Sequence, residues 1–376
     1  MKIILFANTD WYLYNFRLPL AQALRERGDD VLLLSPHGDY AEKLIAAGFR
    51  WQAFELERSG VNPLKEARTL LRLWQVYRRE RPLLVHHFTV KPVLYGSVAA
   101  LLAGRHTTVV NSVTGLGYVF TGGWSPLRAL VELLYRLVLR RTWVIFQNPD
   151  DQAAFLNTGL VTPQRVALIR GSGVDTDRFV PAPEPPGTPL VILPARLLWD
   201  KGVGEFVEAA RILLGRGLAA RFALVGNTDP GNPSAVPLKT LQEWQNQNLV
   251  EWLGWQEDMR ALYQQATLVV LPSYREGVPK TLLEAAACGR AIVTTDVPGC
   301  REVVRQDENG RLVPARDPAA LAGAIGELLE QPALRRKLAA NGRRIAVDEF
   351  DVHKVIRSTL EFYQQAHTSL WDTHGI

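Results

Sequence analysis

Cysteine is nearly absent from this chain. Its 376 residues include two, Cys288 and Cys300, too few for a disulfide framework and without the companions of a metal site, so a reducing cytoplasm is the expected setting. Long apolar runs are missing too. No stretch reaches the ~18 uninterrupted apolar residues of a membrane span. The apolar start Met1–Phe6 soon meets Asn8 and Asp10 and reads as a buried first strand rather than a signal peptide. The seven histidines are scattered, and the one adjacent pair, His86-His87, has no cysteine or carboxylate at ligand spacing. No cofactor or metal is therefore expected. No nucleic-acid module is recognisable, so a nucleic-acid partner is not expected either.

What is present is ordinary globular composition, 47% apolar and 22% charged. The length suits two domains of roughly 150 residues or more, each large enough for its own core. The net charge of +5 is unevenly placed. Residues 1–180 hold 22 Lys+Arg against 15 Asp+Glu, or +7, and the remainder holds 21 against 23, or −2. A basic first half points to an anionic partner there, an acidic membrane surface among them, beside the plainer reading of a solvated basic face.

Strand-like and helix-like segments alternate along the chain, which predicts parallel sheets wrapped by helices. Lys2–Ala7, Asp30–Ser35, Leu83–His87, Thr107–Val113 and Trp143–Gln147 read as strands, with a helix over Tyr14–Arg27 closed by Gly28. The segment 181–189 has five prolines in nine residues and suits neither helix nor central strand. It reads as a linker between an N-terminal Rossmann-like domain, 1–180, and a C-terminal one, 190–350. A last helix within 351–376 is expected to cross back to the first domain. Ligands in such folds lie beyond the carboxyl ends of the strands.

The densest motif follows the strand Thr267–Leu271. In Ser273-Tyr-Arg-Glu276-Gly277-Val278-Pro279-Lys280-Thr281-Leu-Leu-Glu284, Pro279 suits a helix start and Gly289 its end. Amides near Val278–Thr281 can hold an anion at the positive end of the helix. Glu276 and Glu284 flank them, and carboxylates accept hydrogen bonds from sugar hydroxyls. Arg196 and Lys201 follow another strand, the right side for a phosphate. Singly, each of these residues also reads as ordinary surface charge.

Together these stretches resemble glycosyltransferase family 4, the large retaining family of GT-B fold: two Rossmann-like α/β domains facing across a cleft. Glu276 to Glu284 is similar to its E-x7-E motif, and Arg196-Leu-Leu-Trp-Asp-Lys201-Gly202 to its R-x4-K-G element. Gly171-Ser-Gly173-Val174-Asp175, Val225-Gly226, Trp252-Leu253-Gly254-Trp255, Asp296-Val-Pro298-Gly299 and Asn309-Gly310 resemble further landmarks. Asp175-Thr-Asp177 spells D-x-D but lies in one of these landmarks rather than in a metal site. The resemblance implies that Glu276 orients the donor sugar, Glu284 holds the ribose, and Arg196 and Lys201 stabilise the departing diphosphate. Gly171, Gly226, Gly277, Val278, Pro279, Lys280, Thr281 and Trp255 would line the donor site. The donor would be a nucleotide sugar, a UDP-sugar, used without a metal.

The first half would hold the acceptor. Asn8-Thr9-Asp10-Trp-Tyr-Leu-Tyr14-Asn-Phe-Arg17 follows the first strand and lacks the Gly-Gly pair of many relatives. Asn8, Thr9, Tyr14 and Arg17 are candidates for acceptor contact, Arg17 for a phosphate. Thr114 and Gly115, in the Gly-rich stretch 111–123, are others. His86 is a candidate catalytic residue by position, or else a packed, hydrogen-bonded core histidine. Thr114-Gly115-Leu-Gly resembles enzymes that extend lipid-linked sugars in bacterial surface polysaccharide or glycan assembly, and the wording of Tyr274–Ala285 with Val297–Val304 resembles bacterial N-acetylgalactosaminyl transferases acting on undecaprenyl-diphosphate-linked sugars. That resemblance implies a lipid-linked saccharide acceptor and a cytoplasmic enzyme peripheral at the inner face of the plasma membrane. The apolar, arginine-bearing stretch 126–141 suits such a surface. A nucleotide-sugar epimerase of the same fold and a non-catalytic sugar-nucleotide binder remain open.

Overall fold

The computed structural model describes residues 1–56, 63–104, 107–114 and 126–372. The chain forms two compact units. Unit 1 comprises Met1–Ser172 and Val355–Ile376, and unit 2 comprises Gly173–Lys354.

Unit 1 is built on β1 (Lys2–Phe6), β2 (Asp30–Ser35), β3 (Arg50–Ala53), β4 (Leu84–Phe88), β5 (Thr108–Val113), β6 (Trp143–Phe146) and β7 (Val166–Leu168). Among the described residues these make one sheet in the order β3-β2-β1-β4-β5-β6-β7, with every pairing parallel. Side chains alternate across a strand. Ile3 and Leu5 therefore join a core with Leu20 and Leu24, while Ile4 and Phe6 join Leu73, Val76 and Tyr77 on the other face. A sheet covered on both faces needs apolar residues at nearly every position, as in these strands. The predicted helix after β1 begins differently from the prediction. Leu13–Arg17 is a wide π turn, and the regular helix runs from Leu18 to Glu26. A second π turn, Pro92–Gly96, follows β4. Such turns recur at functional sites.

Unit 2 repeats the plan with β8 (Leu190–Pro194), β9 (Arg221–Val225), β10 (Glu251–Trp252), β11 (Leu268–Leu271), β12 (Ala291–Thr295) and β13 (Gly310–Val313). Their order is β10-β9-β8-β11-β12-β13, the strand order of a dinucleotide-type fold, in which the order reverses beside the first strand. In this unit that is the crevice between β8 and β9 on one side and β11 on the other, and the conspicuous motifs fall there.

The proline-rich segment does not mark the division between the units, which falls earlier, between Ser172 and Gly173. It is fastened within unit 2. Arg290 donates to the carbonyls of Ala182 at 2.7 Å and Pro183 at 3.4 Å, and Arg335 forks onto Glu184 at 2.8 and 2.9 Å. Prolines leave carbonyls without partnering amides, and the two arginines supply the donors. The last helix, Val352–Asp372, belongs to unit 1 from Val355 onward, where Phe362, Tyr363 and Ala366 enter the core.

Candidate active site

Three loops leave the carboxyl ends of β8, β11 and β12. The first carries Arg196 and a tight turn, Trp199–Lys201, closed by Gly202 at φ +72°. A β-carbon on Gly202 would overlap the carbonyl oxygen of Pro272, so only glycine lets this turn lie against the end of β11. The second loop is pinned to the first. The Tyr274 amide donates to the Asp200 carbonyl at 2.9 Å, and the Ser273 hydroxyl donates to the same oxygen at 3.1 Å. The Tyr274 hydroxyl donates to Glu205 at 2.6 Å, with the Arg316 guanidinium 4.5 Å over its ring. The third loop presses in through Gly299 at φ +85°, where a β-carbon would overlap the carbonyls of Glu276 and Gly277. The Glu276 amide donates to Pro298 at 3.2 Å.

These constraints bring together residues far apart in sequence. The Lys201 ammonium pairs with Oε1 of Glu276, and both side chains are mostly buried. Arg196, half-exposed, pairs with Asp229 at 3.0 Å. Both cations expected to meet a diphosphate are thus held by carboxylates. The Arg196 pair is of a type worth about 0–1 kcal/mol, so an incoming phosphate can displace it at small cost.

The helix Lys280–Ala287 follows Pro279, its N-cap residue, which has no side chain to close the first turn. It ends before Gly289 in the left-handed region, φ +63°. The Thr281 hydroxyl donates to the Pro194 carbonyl at 3.0 Å and ties the helix to the end of β8. Glu284 lies on its buried side. It accepts from the Tyr263 hydroxyl at 3.1 Å and pairs with Lys280 at 3.6 Å. Burial raises its carboxyl above the ordinary range, opposed by Lys280 and the Tyr263 hydrogen bond. A buried carboxylate perturbed in this way is a candidate for a functional position. Val278 is buried, and Gly277 lies between the two carboxylates.

Gly226, at φ +134°, lies against the Ala195 carbonyl, which a β-carbon would overlap. Its amide donates to Gly254 and its carbonyl accepts from the Trp252 indole, both at 2.8 Å. Trp255 beyond it is 50% exposed. Gly171 is not brought to this group within a unit, because it belongs to unit 1. Neither cysteine is a nucleophile in waiting: both are buried, and burial pushes each thiol up to about 12.

In unit 1, His86 is buried at the carboxyl end of β4. Its Nδ1 meets the Tyr363 hydroxyl at 2.5 Å and its Nε2 the Ser112 hydroxyl at 2.7 Å, so both ring nitrogens are occupied in the core. Burial holds its pKa well below the ordinary histidine value, with the Arg17 and His87 charges acting in the same direction. His87 is equally enclosed, against Tyr77 at 3.0 Å and Asn111 at 2.9 Å.

Of the acceptor-side candidates, the Thr9 hydroxyl caps the following turn by accepting from the Tyr12 amide at 3.1 Å. Tyr14 packs on the Tyr40 ring, 5.2 Å between centroids. Asn8 and Thr114 are half-buried at the carboxyl ends of β1 and β5. Gly115 lies outside the described residues. Arg17 is buried rather than presented on the helix surface. Its guanidinium stacks 4.4 Å over the Phe88 ring and donates to the Tyr12 hydroxyl at 2.8 Å. Stacking of this kind is worth about 0.5–2 kcal/mol, against several kcal/mol for taking an ion out of water. The sequence reading did not single out Tyr12, Asp229, Tyr263 or Tyr363. For Asp229 a signal existed, because it follows Gly226 at a strand end.

Comparison with known proteins bears on the family and the fold. The model of "Glycosyl transferases group 1" matches residues 175–345, and that of "Glycosyl transferase 4-like" matches residues 2–148. The N,N'-diacetylbacillosaminyl-diphospho-undecaprenol alpha-1,3-N-acetylgalactosaminyltransferase of Campylobacter jejuni is 30% identical over 97% of this chain and 99% of its own length. An Escherichia coli UDP-Gal:alpha-D-GlcNAc-diphosphoundecaprenol alpha-1,3-galactosyltransferase is 24% identical over 81% of this chain and 80% of its own. Among solved structures, Anabaena HepE in complex with UDP superposes with a TM-score of 0.79 at 20% identity, covering 97% of this chain and 100% of that one. At that identity the likeness shows the fold alone.

Proposed function

Because this chain belongs to glycosyltransferase family 4 and has the GT-B fold, we propose that it moves a hexose or N-acetylhexosamine, N-acetylgalactosamine first among them, from a UDP-sugar to a lipid-diphosphate-linked saccharide. Unit 2 binds the donor. Glu276 orients the sugar, Glu284 accepts from the ribose hydroxyls, and Arg196 and Lys201 stabilise the diphosphate as it leaves. The Trp255 face and the Gly226 turn receive the base. The observation that carries this reading is the pairing of Lys201 with Glu276 across the carboxyl ends of β8 and β11, where Thr281 ties the helix that bears Glu284 to the end of β8.

The chemistry follows from charge. Breaking the bond between the anomeric carbon and the diphosphate places negative charge on the leaving oxygen, and fixed cations with helix-terminal amides stabilise it. Lys201 and Arg196 supply two such cations. Exchange of their carboxylate partners for phosphate frees Glu276 to accept from a sugar hydroxyl at the same moment. Retention follows if the acceptor hydroxyl attacks from the face the diphosphate leaves. The cations do the work a divalent metal would do, so turnover is independent of added metal.

The acceptor and the membrane belong to the proposal too. The two relatives are named for undecaprenyl-linked acceptors, which supports a lipid-linked acceptor for this chain. No helix among the described residues is long and apolar enough to cross a membrane. The helix Pro63–Glu80 exposes Leu64 and Leu71 on a face with Arg68 and Arg72, and the helix Pro126–Leu139 exposes Leu133 and Leu137 beside Arg136. Apolar and basic residues together favour an anionic lipid surface, so we place the enzyme at the inner face of the plasma membrane. The relatives named above are transferases, and no observation favours the epimerase reading. The test is UDP release from a panel of UDP-sugars, with and without lipid-diphosphate acceptors. Release that requires one donor and one acceptor supports the assignment. Loss of a UDP-sugar without any acceptor, giving its epimer, overturns it.

A further inference from the structure

Unit 1 buries a cation that it does not neutralise. Arg17 is 6% exposed, and an arginine keeps its charge in proteins. Its Nη2 donates to the Tyr12 hydroxyl at 2.8 Å, and its Nε is buried with no hydrogen-bond partner. Among the described residues no carboxylate pairs with it. The groups that face it are aromatic or neutral: the Tyr12 and Phe88 rings, with His86 behind Phe88 at 4.0 Å between ring centroids and Tyr363 beyond. Asp10, on the same loop, is already used by the Trp11 and Tyr40 amides at 2.7 and 3.0 Å.

A second observation lies at the same end of the sheet. Thr89, directly after β4, sits at φ +72° with its Oγ1 buried and unpartnered. A β-branched residue is strained in that region, and such strain gathers at ligand sites. Both the Arg17 and Thr89 segments run into π turns. The carboxyl ends of β1 and β4 thus hold an uncompensated guanidinium and an unsatisfied hydroxyl where an α/β sheet binds its ligand.

We propose that Arg17 and the Tyr12 hydroxyl form an anion-recognition point in unit 1 that takes a phosphate group carried by the acceptor. The guanidinium offers its unpaired N–H edge. The Tyr12 hydroxyl, which accepts from Arg17, keeps its own proton to donate to the same phosphate. The ring of Phe88 covers one face of the guanidinium and holds its plane, which suits a forked contact. The existence of the site stands on the buried charge alone. That its ligand is the acceptor rests on the glycosyltransferase reading.

The test is calorimetric titration of inorganic pyrophosphate and methyl phosphate into the full-length protein with its donor site saturated by UDP. Wild type, Arg17→Gln, Arg17→Lys and Tyr12→Phe are compared. The wild type binds, Arg17→Gln weakens binding roughly 10- to 100-fold, Arg17→Lys falls between, and Tyr12→Phe loses a few-fold. An unchanged melting temperature and near-ultraviolet circular dichroism report that unit 1 is folded in each variant, unchanged UDP affinity reports the same of unit 2, and Arg17→Lys serves if Arg17→Gln is not folded. In turnover, Arg17→Gln raises KM for a lipid-diphosphate acceptor by a similar factor and leaves KM for a neutral alkyl glycoside unchanged. A soluble sugar phosphate used as well as the lipid form assigns the phosphate to a free source, and a preference for the lipid form assigns it to the lipid. If pyrophosphate binds and binding is lost in Arg17→Gln while no sugar is transferred, the site stands and the transferase reading fails. No binding to the wild type under UDP, or equal binding to folded Arg17→Gln, overturns the proposal.

Discussion

The Lys201 ammonium rests on the Glu276 carboxylate, joining a residue of the turn after β8 to one of the loop after β11. The cation assigned to the leaving diphosphate and the acid assigned to the donor sugar therefore neutralise each other before substrate arrives. Such a pair stores both groups partly out of water without leaving either charge uncompensated, and a phosphate that takes the lysine releases the acid to a hydroxyl.

Removing either partner has a defined consequence. Lys201→Ala and Glu276→Ala are each expected to lower kcat by about 100- to 1000-fold, the scale for losing one preorganised electrostatic contact in a transition state. Glu276→Gln keeps the shape and the hydrogen-bond acceptor, and is expected to retain more activity than Glu276→Ala. Steady-state kinetics on variants with unchanged melting temperature checks this, and a loss confined to KM would show a ground-state role instead.

Glu284 links stability to pH. Burial raises its carboxyl above the value of 4.5 that it has when unperturbed. The folded state therefore binds the proton more tightly than the unfolded one. The stability from this group is full below the unfolded value and is lost as pH rises through the raised folded value. At neutral pH the ionised, buried Glu284 costs stability, so Glu284→Gln is expected to raise the melting temperature at pH 8, with the gain closing near pH 4. The same variant is expected to bind UDP more weakly. Equal melting curves at pH 8 would contradict it.

The buried histidines act in the other direction. Burial depresses the His87 pKa from 6.5 to about 4. Stability from such a group is present above the unfolded value and lost as pH falls towards the folded one. His87 is thus expected to take roughly 3 kcal/mol from the stability of unit 1 between pH 6.5 and pH 4, and the lowered His86 adds to it. Urea unfolding followed across that range checks the slope, and a flat profile would refute it.

Gly226→Ala tests the packing beneath the donor site. The new methyl would overlap the Ala195 carbonyl from a backbone at φ +134°, and strained positions of this kind cost on the order of 1–3 kcal/mol before the overlap is counted. The variant is expected to melt several degrees lower and to bind UDP less tightly. An unchanged melting temperature would mean that the Arg196 loop yields freely.

Much of this was legible in the sequence. The alternation of apolar strands and helices pointed to both Rossmann-like sheets, and the order of Arg196, Lys201, Glu276 and Glu284 pointed to the chemistry proposed for unit 2. What was not legible depends on long-range contact. His86 could be placed at a strand end, but its partner Tyr363 comes from 277 positions away. Arg17 lies over Phe88, a residue of β4 far away in the sequence. The prolines of 181–189 signalled a break in secondary structure, but not that Arg290 and Arg335 would clamp the segment to unit 2. Gly299 stood in a recognised motif, and only the structure shows why: it is the one residue type that fits against Glu276 and Gly277.

The most direct test of the account is UDP release by the purified protein with UDP-N-acetylgalactosamine and other UDP-sugars, with EDTA present, and with or without a lipid-diphosphate saccharide. The account predicts release that depends on the lipid acceptor, persists in EDTA and is abolished in Glu276→Ala. Release unaffected by Glu276→Ala, or none with any lipid acceptor although UDP binds, would contradict it.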